Sequence, residues 1–344
     1  MSSGIVQLIA IGAQDEYIMG KPEISFFNST FKRHSNFSQS IEKQTIQGAV
    51  KNNAMSSIKI PRSGDLLGYT YFTIDDNSKA LDIQNWENII DRVELLIGGQ
   101  VIDSQDAAFT EKIAIDTFAT NVSKSSNGTH PGISARSYFY PLRFFFCEGP
   151  QCAIPIVALR YHEVELRIHW GSQAGNYNVE CYSNYYYLDN EERGNLVSRN
   201  HNLIITQVQK SIPSNELVQE LTFNHPVKYL ASSDTTTEGA LTSTTNKIKI
   251  EINGLDLSNF KTGRPHFMDI SNYYHTNFVT SPDFFLYCFC LSVSSIQPSG
   301  TLNFSRLNSV KIISKSRTIN HPIYAVNYNI LRIENGMAGI VYAN

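Results

Sequence analysis

Between residues 247 and 257 the chain alternates with a period of two: Ile248, Ile250 and Ile252 are interleaved with Lys249 and Glu251 after Lys247. One apolar and one charged face at that spacing define a half-buried strand. Asn253-Gly254 then supplies the pair that a two-residue hairpin turn demands before Leu255 and Leu257. Val93, Leu95 and Ile97 followed by Gly98-Gly99 and Val101 carry the same signature earlier in the chain. Val164, Leu166, Ile168 and Trp170 form the apolar face of another strand, with Glu163, Glu165, Arg167 and His169 on its opposite face.

These elements recur in order. A Pro-led turn enters a strand over residues 61–74 and again, more briefly, over 226–230. Phe144-Phe145-Phe146 leads through a Pro150/Pro155 turn to the Val164 strand, and the apolar run 284–293 leads through residues 297–300 to Val310, Ile312 and Ile313. Offsets of roughly 140 to 165 residues between matching elements predict a duplicated β-sandwich. Between the copies, Asp189 with Glu192 three residues on makes a capping box, which predicts a short helix from 190 to about 200. Residues 110–118 predict a second short helix within the first copy. Segments 121–134 and 231–246, rich in Ser, Thr, Asn and Gly, read as exposed loops.

Composition narrows the function classes. In 344 residues, 28 basic and 31 acidic side chains give a net charge of −3, which argues against direct nucleic-acid binding because neutralising a phosphate backbone needs a cationic surplus. A 42% hydrophobic fraction supplies ample core, whereas only 17% of residues are charged against about 25% in ordinary soluble domains. No stretch approaches the ~20 apolar residues of a spanning helix. The opening apolar run lacks a basic leader and is read as part of the mature, soluble protein. Cys147, Cys152, Cys181, Cys288 and Cys290 contain no C-x-x-C pair and read as buried free thiols folded in a reducing compartment.

Catalytic frameworks are missing: the sequence has no G-x-S-x-G elbow, P-loop, G-x-G-x-x-G or H-E-x-x-H. The ionisable row Glu163, Glu165, Arg167 and His169 lies along one strand, too much in line to build a closed site, and is read as a solvent or interface face. Neither a cofactor nor a metal is expected. Lys32-Arg33-His34 is the basic cluster near the start, read as facing water or a neighbouring subunit. Five sequons, at Asn28, Asn36, Asn121, Asn127 and Asn303, are candidate glycosylation sites, and without a leader segment they are read as chance triplets. Tyr182, Tyr185, Tyr186 and Tyr187 are the dense aromatics of a rival reading, a carbohydrate-binding β-sandwich; they are expected instead to pack between the two copies.

Several longer motifs point further. Residues 12–15 and 31–34, 62–67, 93–103, 141–146, 154–164, 187–193 and 223–228, and above all 297–306, 324–332 and 336–339, resemble the major capsid proteins of nucleocytoplasmic large DNA viruses, the double jelly-roll family. The match runs nearly end to end. It departs after Arg306, where Leu307-Asn308-Ser309 stands in place of the family's common Ile-Asp-Asn, and the chain is shorter than many members.

The resemblance implies an all-β chain of two consecutive eight-stranded jelly-roll β-sandwiches with a short linker helix: an arm at 1–22, a first roll at 23–188, the helix at 189–200 and a second roll at 201–344. It implies a structural role without enzymatic activity. It further implies that three chains form a pseudo-hexameric capsomer that tiles an icosahedral shell in the virion, assembled in host cytoplasm. Expected partners are neighbouring capsomers, minor and penton capsid proteins, and an inner membrane or membrane-associated protein reached by the N-terminal arm. A minor or scaffold paralogue of the same fold is the alternative role.

Overall fold

The computed structural model describes residues 3–75, 86–118, 139–233, 239–276 and 284–343. The chain divides into two compact units, Met1–Asn36 and Phe37–Asn344. Within the first, two short helices, α1 (Ser3–Ile9) and α2 (Glu16–Met19), are joined by a turn in which Asp15 Oδ2 accepts the Gly12 N–H at 2.7 Å.

The second unit opens with eight strands among the described residues: β1 (Phe37–Gln44), β2 (Met55–Ile60), β3 (Leu66–Ile74), β4 (Ile90–Ile97), β5 (Gln100–Asp106), β6 (Phe139–Pro141), β7 (Val164–Trp170) and β8 (Val179–Leu188). They form two antiparallel sheets in the orders β1-β8-β3-β6 and β2-β7-β4-β5. That is the jelly-roll order, in which the first and last strands lie side by side. Ile58, Phe72, Leu95, Leu166, Ile168 and Trp170 fill the space between the sheets.

The pattern then repeats. β9 (His201–Lys210), β10 (Val218–Glu220), β11 (Pro226–Ser233), β12 (Lys247–Ile252), β13 (Leu255–Asp256), β14 (Lys261–Thr262), β15 (Phe284–Cys288), β16 (Leu302–Asn303), β17 (Val310–Ser314), β18 (Tyr324–Glu334) and β19 (Met337–Ile340) form the second pair of sheets. Their main orders are β9-β18-β11-β15 and β10-β17-β12-β13. Strand for strand these reproduce the first roll, with β14, β16 and β19 as short additions.

The turn chemistry follows the sequence. Gly98 and Gly99 (φ 59° and 82°) and Asn253 and Gly254 (φ 50° and 79°) both adopt the left-handed pair, and Asn335-Gly336 (φ 52° and 81°) builds a third such hairpin between β18 and β19. Asp189 caps the helix Asn190–Ser198 by accepting the Glu192 N–H at 2.9 Å. β7 alternates buried and half-buried residues from Val164 to Trp170 as expected.

Three expectations need correction. Phe144-Phe145-Phe146, matched above with the run 284–293, is not its counterpart: Phe145–Cys147 is a 3₁₀ turn entered from an extended Phe144, and the strand that matches β15 is the three-residue β6. The Ser/Thr-rich segment, where described, is mostly buried rather than exposed: Ala240, Leu241, Thr242, Ser243 and Asn246 are buried, while Thr244 and Thr245 stay exposed. Asn246 donates to Ala240 O and Ser314 Oγ and accepts from the Ser316 N–H and hydroxyl, so a polar segment is buried with its bonds made. The tyrosines of β8 do not pack between the rolls. Tyr185 enters the first roll's own core and donates to Pro61 O at 3.2 Å, while Tyr182 stacks on Tyr71 on the outer face of the same sheet. Segment 121–134 lies outside the described residues.

Candidate assembly surfaces

The sheet β9-β18-β11-β15 is buried on both faces. Leu230, Phe285 and Ala325 point into the second roll's core. Their neighbours Tyr229, Ala231, Phe284, Leu286, Tyr324 and Val326 point the other way and are equally buried, against Phe109, Ile113, Ala114 and Phe118 of the first roll. Those first-roll residues come from a wide π turn, Phe109–Ile113, that runs into the short helix α3 (Ala114–Thr117) directly after β5. Double-sided burial explains why β15 reads as a continuous apolar run and why β11 and β18 show no clean alternation. Further along, Ile205, Leu331, Ile333 and Ala338 of the second roll join the first roll's core. At roughly 1.5–3 kcal/mol per large apolar side chain removed from water, this shared core binds the rolls into one unit.

Carboxylates organise the polar part of the junction. Asp106 ends β5, accepts the Phe109 N–H at 2.9 Å to start the π turn, and accepts from Lys210 Nζ at 2.6 Å and the Tyr324 hydroxyl at 2.9 Å. Burial, and then the Asp106 charge, push the Tyr324 phenol well up. Asp103 is fully enclosed and accepts from the N–H groups of Val208 and Ser104 and from Gln105 Nε2. Loss of water pushes its carboxyl up to about 7 despite those three donors. Gln207 Nε2 donates to Ile102 O, and Thr206 donates to Glu148 Oε1 at 3.1 Å. At the far end the Ala338 N–H donates to His162 Nδ1 at 3.1 Å, and Tyr161 N–H to Gly336 O at 2.9 Å.

Among the described residues, two apolar surfaces of the second unit are left without such cover. On the outer face of β8-β3-β6, Tyr71 stacks on Tyr182 at 5.7 Å between centroids, lies 6.3 Å from Tyr69 and meets Phe139 edge-on at 6.4 Å. Ile41 on β1 extends the patch, and an ion pair between Lys43 and Glu180 borders it. The second surface follows β13 and β14: a π turn, His266–Ile270, runs into the helix α5 (Ser271–His275). Phe267 turns inward to stack on Phe285 at 5.8 Å, while Ile270, Tyr273 and Tyr274 face out, with Leu255, Leu257 and Phe260 nearby in the chain and also exposed.

The ionisable residues singled out by sequence form strand-surface pairs. Arg167 and His169 Nε2 lie 3.2 and 3.3 Å from Glu94, and Lys59 lies 3.5 Å from Glu163. Among the described residues no cluster of His, Cys, Asp or Glu is placed to hold a metal. Asn28, Asn36 and Lys32-Arg33-His34 belong to the N-terminal unit. Asn303 is exposed and its side chain accepts the Ser305 N–H at 3.1 Å; Asn121 and Asn127 lie outside the described residues. All five cysteines are free thiols, Cys181 and Cys290 buried and the others half-buried. Burial raises the Cys147 thiol to about 12 and the Cys152 thiol to about 11, which makes both poor nucleophiles.

Comparison with known proteins agrees with this architecture. Residues 25–189 match the family model described as major capsid protein N-terminus, and residues 192–339 match that of the large eukaryotic DNA virus major capsid protein. The major capsid proteins of Pyramimonas orientalis virus and Paramecium bursaria Chlorella virus 1 are each 30% identical to the chain, in alignments covering the whole of both sequences. The quasi-atomic model of the PBCV-1 capsid superposes with a TM-score of 0.78 at 27% identity, over 93% of this chain and 100% of that one. The Faustovirus major capsid protein shares the fold at 13% identity, with a TM-score of 0.68. The chain therefore belongs to the large eukaryotic DNA virus major capsid protein family: it is a structural component of a virus capsid, built as a double jelly roll, and not an enzyme.

Proposed function

We propose that three copies of this chain form a pseudo-hexameric capsomer, and that such capsomers tile an icosahedral shell. The observation that carries this reading is the head-to-tail contact between the rolls. The segment after β5 of the first roll covers the outer face of the second roll's β9-β18-β11-β15 sheet, so one roll uses a donor surface and the other an acceptor surface. Contacts of this heterologous kind propagate until a rotation closes them, and six rolls from three chains close such a ring. The low charged fraction has the same explanation, because surface covered by identical neighbours has no need of charge.

The remaining partners follow from position in such a shell. Neighbouring capsomers meet at the rims, minor and penton capsid proteins fill seams and vertices, and the N-terminal arm reaches an inner layer or membrane-associated protein. Assembly takes place in host cytoplasm. Light scattering of the purified protein tests the capsomer directly: a mass near three times 38.7 kDa is expected, and a stable monomer at high concentration overturns it.

A further inference from the structure

The two rolls share a device that is used in one and idle in the other. After β5 a five-residue π turn and a short helix lie on the second roll; after β13 and β14 the same pair of elements, in the same order, faces solvent. Counted from the start of each π turn, Phe109 corresponds to His266, Ile113 to Ile270, Asp116 to Tyr273 and Thr117 to Tyr274. The inward positions agree: Thr110 and Glu111 are buried, and so are Phe267 and Met268. The outward positions differ in residue, with Asp116 and Thr117 matched by Tyr273 and Tyr274, and in cover. Ile113 is 1% exposed and Ile270 42%; Thr117 is 0% exposed and Tyr274 72%.

The acceptor surface shows the same asymmetry. On β11, Tyr229 and Ala231 point outward beneath the first roll's π turn and helix. On β3 the outward positions are held by Tyr69 and Tyr71, which meet Tyr182 and Phe139 in an aromatic patch that nothing described in the second unit covers. Tyr69 is exposed and Tyr71, Tyr182 and Phe139 are half-buried, and contiguous accessible aromatics of this kind mark interaction surfaces.

We propose that Ile270, Tyr273 and Tyr274 of one chain dock on the Tyr69, Tyr71, Tyr182 and Phe139 patch of a second copy, repeating between chains the contact that joins the two rolls within one. The inference rests on the trimeric reading and adds the surfaces that meet. The donor and acceptor sit on different rolls, so each chain gives one and receives one, and the ring closes with no idle device left. Chemistry fits as well: tyrosine against tyrosine suits a joint that folds exposed to water and is buried later, because the hydroxyls keep the monomer wet and the rings supply area.

The test is a photo-crosslink. Tyr274 is replaced by p-benzoyl-phenylalanine, the full-length protein is irradiated, and the products are sized on a denaturing gel and mapped by mass spectrometry. Intermolecular products attached within residues 66–74, 139–141 or 179–188 are expected, and Y71D and Y274D, both at exposed or half-buried positions, are expected to lower the mass in light scattering from trimer to monomer while leaving the circular dichroism spectrum unchanged. A trimer that crosslinks elsewhere, or that survives both charge substitutions, overturns the docking inference and leaves the capsomer reading standing. An unmodified protein that stays monomeric overturns both.

Discussion

The carboxyl group of Asp103 on β5 accepts the backbone N–H of Val208 on β9 at 2.9 Å, which ties the two rolls by one buried bond between an acid and a main-chain amide. Burial raises that carboxyl to about 7, so in the folded protein it keeps its proton over a range where the unfolded chain, at about 3.9, has lost it. The stability it contributes is complete below about pH 4 and falls as pH rises toward 7. Denaturant titrations between pH 4 and 8 are expected to show a decline that D103N lacks, the difference being on the order of a few kcal/mol. Equal pH profiles for the two proteins would refute the assignment.

Gly98 and Gly254 occupy matching hairpins, yet their tolerance of a methyl group differs. A Cβ at Gly254 meets nothing within 4 Å, whereas at Gly98 it lies 2.3 Å from His162 Nδ1, the atom that takes the Ala338 N–H. G254A is expected to cost about 1 kcal/mol, the usual penalty of a left-handed position, and G98A at least twice that, because His162 must let go of β19. Thermal unfolding of the two variants side by side reads the difference.

Asn329 on β18 is buried and fully engaged: Nδ2 donates to Gln207 Oε1 at 2.9 Å and to Tyr342 O at 2.8 Å, and Oδ1 accepts the Ile330 N–H. N329D turns a donor to two oxygens into a third oxygen among them. A loss of several kcal/mol is expected, with no soluble assembled protein recovered on size exclusion.

For the N-terminal arm, Ile5, Leu8 and Ile9 give α1 a short apolar stripe. Deleting residues 2–17 is expected to leave the trimer mass intact and abolish shell formation; loss of the trimer itself would place the arm inside the capsomer.

Local chemistry was legible where one residue type settles a backbone state. Asn253-Gly254, Gly98-Gly99 and the Asp189 cap all appear where spacing predicted them, and the alternation of β7 is plain in its residues. What escaped the sequence depends on the neighbouring roll. Asn246 looks like loop chemistry, and only the tertiary placement of Ala240, Ser314 and Ser316 makes it a buried hub. The β8 tyrosines have no period that distinguishes a core position such as Tyr185 from a surface stack such as Tyr182. The assembly surfaces were invisible for a related reason: Phe109 and Tyr274 differ in what covers them, and that is a property of the partner surface.

Phe109, Ile113 and Phe118 leave the ribosome more than a hundred residues before the strands β11, β15 and β18 that will cover them. The first roll has all eight of its strands by Leu188, yet at that point it still carries a greasy flank that its own sheets cannot hide. Contacts so distant along the chain form slowly, and intermediates that wait with exposed apolar surface are the ones that aggregate. In a cell filling with newly made copies, each nascent first roll presents this uncovered hook until its own second half is made.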